Sequence, residues 1–445
     1  MAAATTDKEA NILNTEETQA AVLEGLGYHQ ELKRSFGPLG IIGFSFSIVT
    51  CWTALGGTLI IGVESGGPPV MIWSWIGICV VSLAVAYSMA EMCAAYPVAG
   101  GQYSWVAAVA PPRIARGLSW ICGWFMLIGI LGMGAVNNFI GSEFILGLSN
   151  LSHPDPSHMI EEIKDATHQA PRAIILSVYL GAITGLVFLI AASFCIGDIA
   201  ATADSSTGVP LIEIFINSTG SVVGSCILGS LITVIVLVAS NSLLAEGSRS
   251  VYAFARDHGL PFSSLFSRVE KKRQIPVYAI CLTVIVQMAF NSIYFGTTTG
   301  FETIISLATF GFFLSYAIPL LARILSYMTG HFKVIPGPYS LGFWGLPLNI
   351  VGFLYLVFTS ITFNFPTVYP VDRENMNYTC AAVGIIMLIS AVTWVVDGRK
   401  NFTGPETGEV TEIVHGEEVV VKRERGLPEH GELEGKTTDG KGVVG

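Results

Sequence analysis

The 445 residues are 51% hydrophobic and only 13% charged, with a mean hydropathy of +0.60. That much apolar surface cannot be enclosed in a water-soluble domain, so the solvent for most of the chain is lipid. The formal charge of −10 is spread over tails and loops with no sustained run of one sign, and it gives no reason to expect a nucleic-acid or acidic-substrate partner.

About 37 polar residues precede the first apolar stretch. That stretch is too long for the core of a cleavable signal, so the first span is expected to act as its own insertion signal. Nine stretches have the length and composition of a membrane-crossing helix: 38–62, 70–95, 118–148, 172–197, 221–246, 275–297, 301–325, 345–365 and 378–397. Barrel strands would be shorter and alternating.

In the first span, Ser45, Ser47, Thr50, Cys51, Trp52, Thr53, Gly56 and Gly57 mix hydroxyls, an aromatic ring and paired glycines at mid-membrane depth. A break there would let free carbonyls face an ammonium and half-helix N-termini face a carboxylate. The alternative is an intact helix with its hydroxyls bonded to its own backbone. Gly129, Gly132 and Gly134 in the third span suit close helix packing. Asn137 and Asn138 in that span, and Ser240 and Asn241 in the fifth, are polar groups deep in apolar runs, where interhelical bonding is the commonest role.

The eight cysteines lie in or at the ends of apolar runs without a CxxC pair and read as small buried residues. His153, His158 and His168 match no ligand spacing, and neither metal nor cofactor is expected. The sequence has no GxxxxGK[ST], HExxH or GxSxG, so ATP-driven transport and common hydrolase chemistry lack their residues and an enzyme is not expected. The tail from Asn401 onward, rich in Gly, Glu and Thr, reads as disordered.

Basic residues orient the spans. Lys33 and Arg34, Arg113 and Arg116, the run from Arg249 to Arg273, then Arg323, His331 and Lys333, and finally Arg399 and Lys400 mark cytosolic loops. Glu64, Asp198, Asp204, Glu213 and Glu302 mark outer ones. One segment breaks the alternation: the third span should end outside, yet the fourth must begin inside. Residues 150–171, with Asp155, Glu161, Glu162, Lys164, Asp165 and three prolines, would have to cross the bilayer. Charges and unpaired backbone make that crossing costly. An odd number of spans is therefore expected to be missing there. A third span that bends back on itself, or inverted insertion of everything after residue 171, is a weaker alternative.

Two stretches are specific. Ala90-Glu91-Met92-Cys93-Ala94-Ala95-Tyr96-Pro97-Val98-Ala99-Gly100-Gly101-Gln102-Tyr103 follows the second span, and Arg249-Ser250-Val251-Tyr252-Ala253-Phe254-Ala255-Arg256-Asp257-His258-Gly259-Leu260-Pro261 follows the fifth. Both resemble signatures of the amino acid-polyamine-organocation permeases, and the chain looks most like the amino acid/choline branch that includes 4-aminobutyrate permeases. The similarity runs from about Gly27 to Lys400.

The resemblance implies an all-α integral membrane protein with a leucine-transporter-like inverted-repeat fold, here incomplete with about nine transmembrane helices. The first three spans match family helices one to three and the other six match helices seven to twelve. Helices four to six have no counterpart, and Glu161 to Arg172 resemble the loop that follows helix six. Residues 1–37 would be a cytosolic tail, 38–397 the permease domain and 398–445 a cytosolic tail.

The implied function is secondary active transport of an amino acid or small amine, of the 4-aminobutyrate or choline type, across the plasma membrane rather than the vacuolar one. The alternative is a truncated, non-transporting membrane protein. Substrate-binding residues would be Ser47, Thr50, Cys51, Trp52, Thr53, Gly56, Gly57, Ser240 and Asn241. Glu91 would relay protons, order the loop through Gly100 and Gly101, or simply end its helix in water, and Arg256 and Asp257 would brace the inner gate from a cytosolic loop. Trp52, Tyr87 and Tyr316 offer a cation-binding face for an amine, though scattered aromatics in lipid-facing helices are commoner. The expected partners are the ligand, the lipid bilayer and, in one option, a coupling proton.

Overall fold

The computed structural model describes residues 66–149, 166–196, 209–270, 274–293, 298–330, 339–365, 371–372, 376–402, 404, 410–414 and 417–421. The expected first span, with Ser47, Thr50, Cys51, Trp52, Thr53, Gly56 and Gly57, lies outside them.

The helices are α1 (Gly67–Ala95), α2 (Gln102–Val109), α3 (Pro112–Ser149), α4 (Ala166–Cys195), α5 (Pro210–Thr219), α6 (Val222–Arg256), α7 (Ser263–Phe266), α8 (Val277–Ile293), α9 (Thr298–Met328), α10 (Gly345–Thr362) and α11 (Thr379–Thr393). A π-helical turn, Trp394–Gly398, and Arg399–Asn401 continue α11. Among the described residues, seven helices are long and apolar enough to cross a membrane, and α8 is a shorter apolar helix. Every expected span after the first has its helix.

Local chemistry sets the ends. Prolines open α1 and α5, where the missing N–H costs nothing. Gly220 closes α5 in the left-handed region, and the Ser221 hydroxyl then accepts the Gly224 N–H to cap α6. The fifth span was expected to stop at residue 246, but α6 continues to Arg256, nearly three turns further. Ser248, Val251, Tyr252, Phe254 and Ala255 bury a continuous face there, and packing carries the helix past Glu246 and Arg249, whose charges end the apolar window. His258, at φ 61°, closes α6 while the Gly259 N–H donates to the Phe254 carbonyl at 2.7 Å.

Helix α3 is the hub. Its Gly129 meets Gly311 of α9 in backbone contact: a Cβ on Gly311 would lie 2.7 Å from the Gly129 nitrogen, and one on Gly129 2.6 Å from the Phe312 nitrogen. Gly132 packs against Ala308 and Gly134 against Gln287, so these glycines serve packing, as expected. Gly311→Val should therefore force the two helices apart. A loss of about 1–3 kcal/mol is expected from overpacking, read as earlier unfolding in detergent.

The pairings fix every helix direction. Trp75 Nε1 of α1 donates to the Ala182 carbonyl of α4 at 3.1 Å, Met71 and Trp75 pack with Leu189 and Ile196, and the Tyr87 and Tyr179 hydroxyls meet at 3.0 Å. α1 and α4 are antiparallel. Gly345 sits beside Glu91 and Gly352 beside Val85, so α10 is antiparallel to α1. Gly345 also lies by Arg323 and Gly352 by Leu320, making α9 antiparallel to α10 and parallel to α1. Cys122 Sγ lies 3.4 Å from the Ser315 carbonyl and Gly132 beside Ala308, so α3 is antiparallel to α9. It follows that α3 and α4, consecutive in the chain, run in the same direction.

Ser149 and Ala166 thus lie at opposite ends of the helical layer, joined by residues 150–165 alone. Among the described residues, the other consecutive spans alternate. Arg116, Arg256, Arg323 and Arg399 gather at the end that holds Glu91, as the positive-inside rule requires of a cytosolic face.

The segment after α11 is not all tail. Phe402 is 0% exposed, enclosed by Trp120, Phe254 and Trp394, and Arg116 donates to the carbonyls of Gly398, Arg399 and Phe402. Val410–Val414 and Glu417–Val421 pair as an antiparallel hairpin. Phe402 therefore anchors the chain just past α11.

Candidate substrate site and inner gate

At the cytosolic end, two buried polar locks tie the helices. Glu91 is 2% exposed and forms an ion pair with Arg323, itself 5% exposed. Its other oxygen accepts the Leu341 N–H at 3.0 Å and the Ser340 hydroxyl at 3.4 Å. The carboxylate thus sits at the start of the turn leading into α10, where free N–H groups favour a negative charge. Glu91 is therefore not a helix end in water. Arg323, read from sequence as a loop cation, is its buried partner.

The second lock joins the two sequence signatures. Gly101, at φ 58°, makes the turn that starts α2 and turns Tyr103 inward. The Tyr103 hydroxyl donates to Asp257 Oδ2 at 2.8 Å, and its ring meets Phe254 edge-on at 5.2 Å. Asp257, 5% exposed, also accepts Arg256 Nε at 3.1 Å. Burial pushes the Asp257 carboxyl above its ordinary value, opposed by the Arg256 charge and the Tyr103 hydroxyl. Arg256 ends α6 and Asp257 caps it, so neither belongs to a free loop. Tyr103→Phe removes a hydrogen bond to a charged acceptor in a buried site. A loss of about 1.5–3 kcal/mol is expected, measured against wild type by thermal unfolding.

Nearer the membrane centre, Asn137 Nδ2 donates to Ser240 Oγ at 2.8 Å and to the Val236 carbonyl at 3.1 Å, bonding α3 to α6. Asn138 Nδ2 donates to Gln287 Oε1 of α8 at 3.3 Å. Ser240 is thus engaged in interhelical bonding, whereas Asn241 is exposed and donates only to its own helix, at the Leu237 carbonyl. Of Ser240 and Asn241, only Asn241 is exposed. Tyr87 pairs with Tyr179, while Tyr316 stacks on Phe312 at 6.0 Å, and no ring contact joins the two among the described residues. Gln287, 4% exposed, was not anticipated, and a lone amide in an apolar run was its signal. Glu246, within α6, was also overlooked because it coincided with the end of the apolar window.

The sequence profile of the amino acid permease family matches residues 36–154 and 156–389. The chain belongs to the amino acid permease family. A Macrophomina phaseolina protein provisionally named an amino acid/polyamine transporter is 53% identical, the alignment covering 77% of this chain and 97% of that one. An Arabidopsis thaliana amino-acid permease, BAT1, is 26% identical over 86% of this chain and 95% of its own. A choline transporter of Saccharomyces cerevisiae is 24% identical over 91% and 88% respectively. These relatives are named as transporters, and the chain is a multi-pass membrane permease by family, not an enzyme.

The alignments are longer than the part of the chain they use. The Macrophomina alignment runs over 440 positions, whereas 77% of 445 residues is about 343, leaving about 97 positions with no residue here. The same subtraction leaves about 112 of 495 for the Arabidopsis protein and about 96 of 501 for the yeast one.

Proposed function

We propose that this chain is a shortened form of a secondary permease for an amino acid or small amine, of the 4-aminobutyrate or choline type, lacking family helices four to six between α3 and α4. The parallel course of α3 and α4 carries this reading, because consecutive spans joined by a short link must alternate. About a hundred unmatched positions in the alignments suit three helices with their loops. The break in the family match at residue 155 favours that location.

Transport then belongs to the longer form. The first span and the sixth family helix would be symmetric halves of its site, with Ser47, Thr50, Cys51, Trp52, Thr53, Gly56, Gly57 and Asn241 facing the ligand. Glu91–Arg323 and Tyr103–Asp257–Arg256 would hold the inner gate. The plasma membrane is the proposed location, and a proton the proposed coupling ion. Uptake of radiolabelled 4-aminobutyrate, choline and neutral amino acids into cells making either form tests the reading. Uptake by the longer form alone supports it, and uptake by the 445-residue chain itself sinks it.

Orientation has its own test. Asn217 is exposed near the end of α5, on the outer side, and should carry an N-glycan in a microsomal membrane. Asn401 precedes buried Phe402 on the cytosolic side and should stay bare. A glycan on Asn401, seen as an endoglycosidase-sensitive mass shift lost in N401Q, would reverse the topology.

A further inference from the structure

Past α11 the chain turns back into the helical domain. Phe402, 0% exposed, follows the π-helical turn Trp394–Gly398, and its ring meets Trp120 at 5.0 Å, Phe254 at 6.0 Å and Trp394 at 6.3 Å. Arg116 of α3 fixes the backbone there: Nε donates to the Phe402 carbonyl at 2.6 Å, and the same guanidinium donates to the carbonyls of Gly398 and Arg399 at 3.2 and 2.9 Å. Carbonyls at the end of a helix lack helical partners, and a cation meets both their bonding need and their negative potential. The Arg116 charge also lies over the Trp394 ring, 5.6 Å from its centre. Gly398 fits against Trp120, where a Cβ would come within 2.6 Å of the indole.

The ring that Phe402 touches in α6 supports the Tyr103–Asp257 lock. Phe254 is boxed in: a Cβ on Gly123 would come within 2.2 Å of it and one on Gly259 within 2.4 Å, so the ring has no room to move on those sides. Its ring contacts among the described residues are Tyr103 at 5.2 Å, Trp120 at 5.9 Å, Trp124 at 6.4 Å and Phe402. Tyr103, Trp120 and Trp124 are carried by α2 and α3, whereas Phe402 is held by a short segment clasped by Arg116. Phe402 therefore closes the box on Phe254, Phe254 holds the Tyr103 ring edge-on, and the Tyr103 hydroxyl bonds Asp257. The Glu91–Arg323 lock stands apart. It adjoins an apolar cluster with Met92, Leu320 and Leu356, separate from the one that holds Tyr103, Phe254 and Phe402.

We propose that Phe402 and Arg116 form a clamp through which the segment after α11 controls the Tyr103–Asp257 lock. Seated, Phe402 keeps the lock closed. Withdrawn, it leaves a space into which Phe254 turns, and the Tyr103 hydrogen bond to Asp257 loses its support. Phe402 is thus a positioning residue that acts on Asp257 through two rings. That the lock belongs to an inner gate rests on the permease reading, but α2, α3, α6 and α11 are all present in this chain, so the coupling itself does not depend on the missing helices. In a transporting form, a cytosolic partner that draws the segment away from α3 would loosen the gate on this side and leave Glu91–Arg323 holding.

The test is labelling of the full 445-residue chain in lipid nanodiscs with a water-soluble carbodiimide, read by peptide mass spectrometry. Asp257 and Glu91 are 5% and 2% exposed, and both should label slowly in wild type. Phe402→Ala is expected to speed labelling of Asp257 by about tenfold or more and to leave Glu91 unchanged. Phe402→Leu refills most of the space and should keep Asp257 within about threefold of wild type. Faster labelling of both carboxylates alike overturns the clamp, because the whole domain has then loosened, and so does faster labelling of neither. Should Phe402→Ala not fold, hydrogen exchange of the unaltered chain decides. The Phe402 and Gly259 amides donate to the Gly398 and Phe254 carbonyls at 2.9 and 2.7 Å, and they should open together with one denaturant dependence. Exchange at Phe402 while Gly259 stays protected overturns the proposal. These readings are independent of uptake by the longer form, so the clamp can fail with the permease reading standing, and the reverse.

Discussion

Arg323→Ala should lower the stability of the helical domain by about 3–5 kcal/mol, because it strands the Glu91 carboxylate where almost no water reaches it. The loss is expected to exceed that from the other described ion pair, Arg256–Asp257, whose arginine side chain is 23% exposed. The control is the double change Glu91→Gln with Arg323→Met. It removes both charges, keeps an oxygen to accept the Leu341 N–H, and should recover most of the lost stability. Denaturant unfolding in a fixed detergent reads all three proteins. If the double variant is as unstable as Arg323→Ala, an uncompensated charge is not the cause of the loss.

The second large effect is on transport. The chain as given should show no uptake above background. Inserting the roughly hundred-residue segment of the Macrophomina relative that has no counterpart here, between Ser149 and Ala166, should produce saturable uptake of an amine or amino acid. The reason is topological. With three further spans, the outer end of α3 and the inner end of α4 are connected through helices that satisfy their own backbone groups in lipid. A second consequence is local: the added sixth family helix would face the exposed side of α6 that carries Val234, Val238 and Asn241. Those side chains should become protected from water-soluble probes in the longer form.

Much of this architecture was legible in the sequence because lipid imposes a simple rule. Eight of the nine expected spans fall among the described residues, and all eight are helices, since twenty apolar residues have no other low-cost structure in a bilayer. The gathering of Arg116, Arg256 and Arg399 at one end was equally readable, because they had only to be counted by side. The shared direction of α3 and α4 agrees with the same counting.

Side-chain partners were less legible. Tyr103 and Asp257 are separated by 154 positions, and only the folded arrangement of α2 against α6 shows that the two signatures form one lock. Arg323 was misread because a basic residue near the end of a span normally snorkels to water. Here Glu91 holds it inside. The end of α6 was placed too early because hydropathy sees the charges of Glu246 and Arg249 but not the buried face formed by Val251, Tyr252 and Phe254. Ser240 was offered as a ligand group, but only the structure distinguishes a hydroxyl that joins α3 to α6 from Asn241 one residue later, which does not.

The most direct test is sequencing of the gene and its transcripts across the codons for residues 145–175. The account predicts a form with an in-frame insert of about a hundred codons encoding three apolar helices. A locus in which these residues are joined as they are here, with no such insert in any transcript, would contradict it.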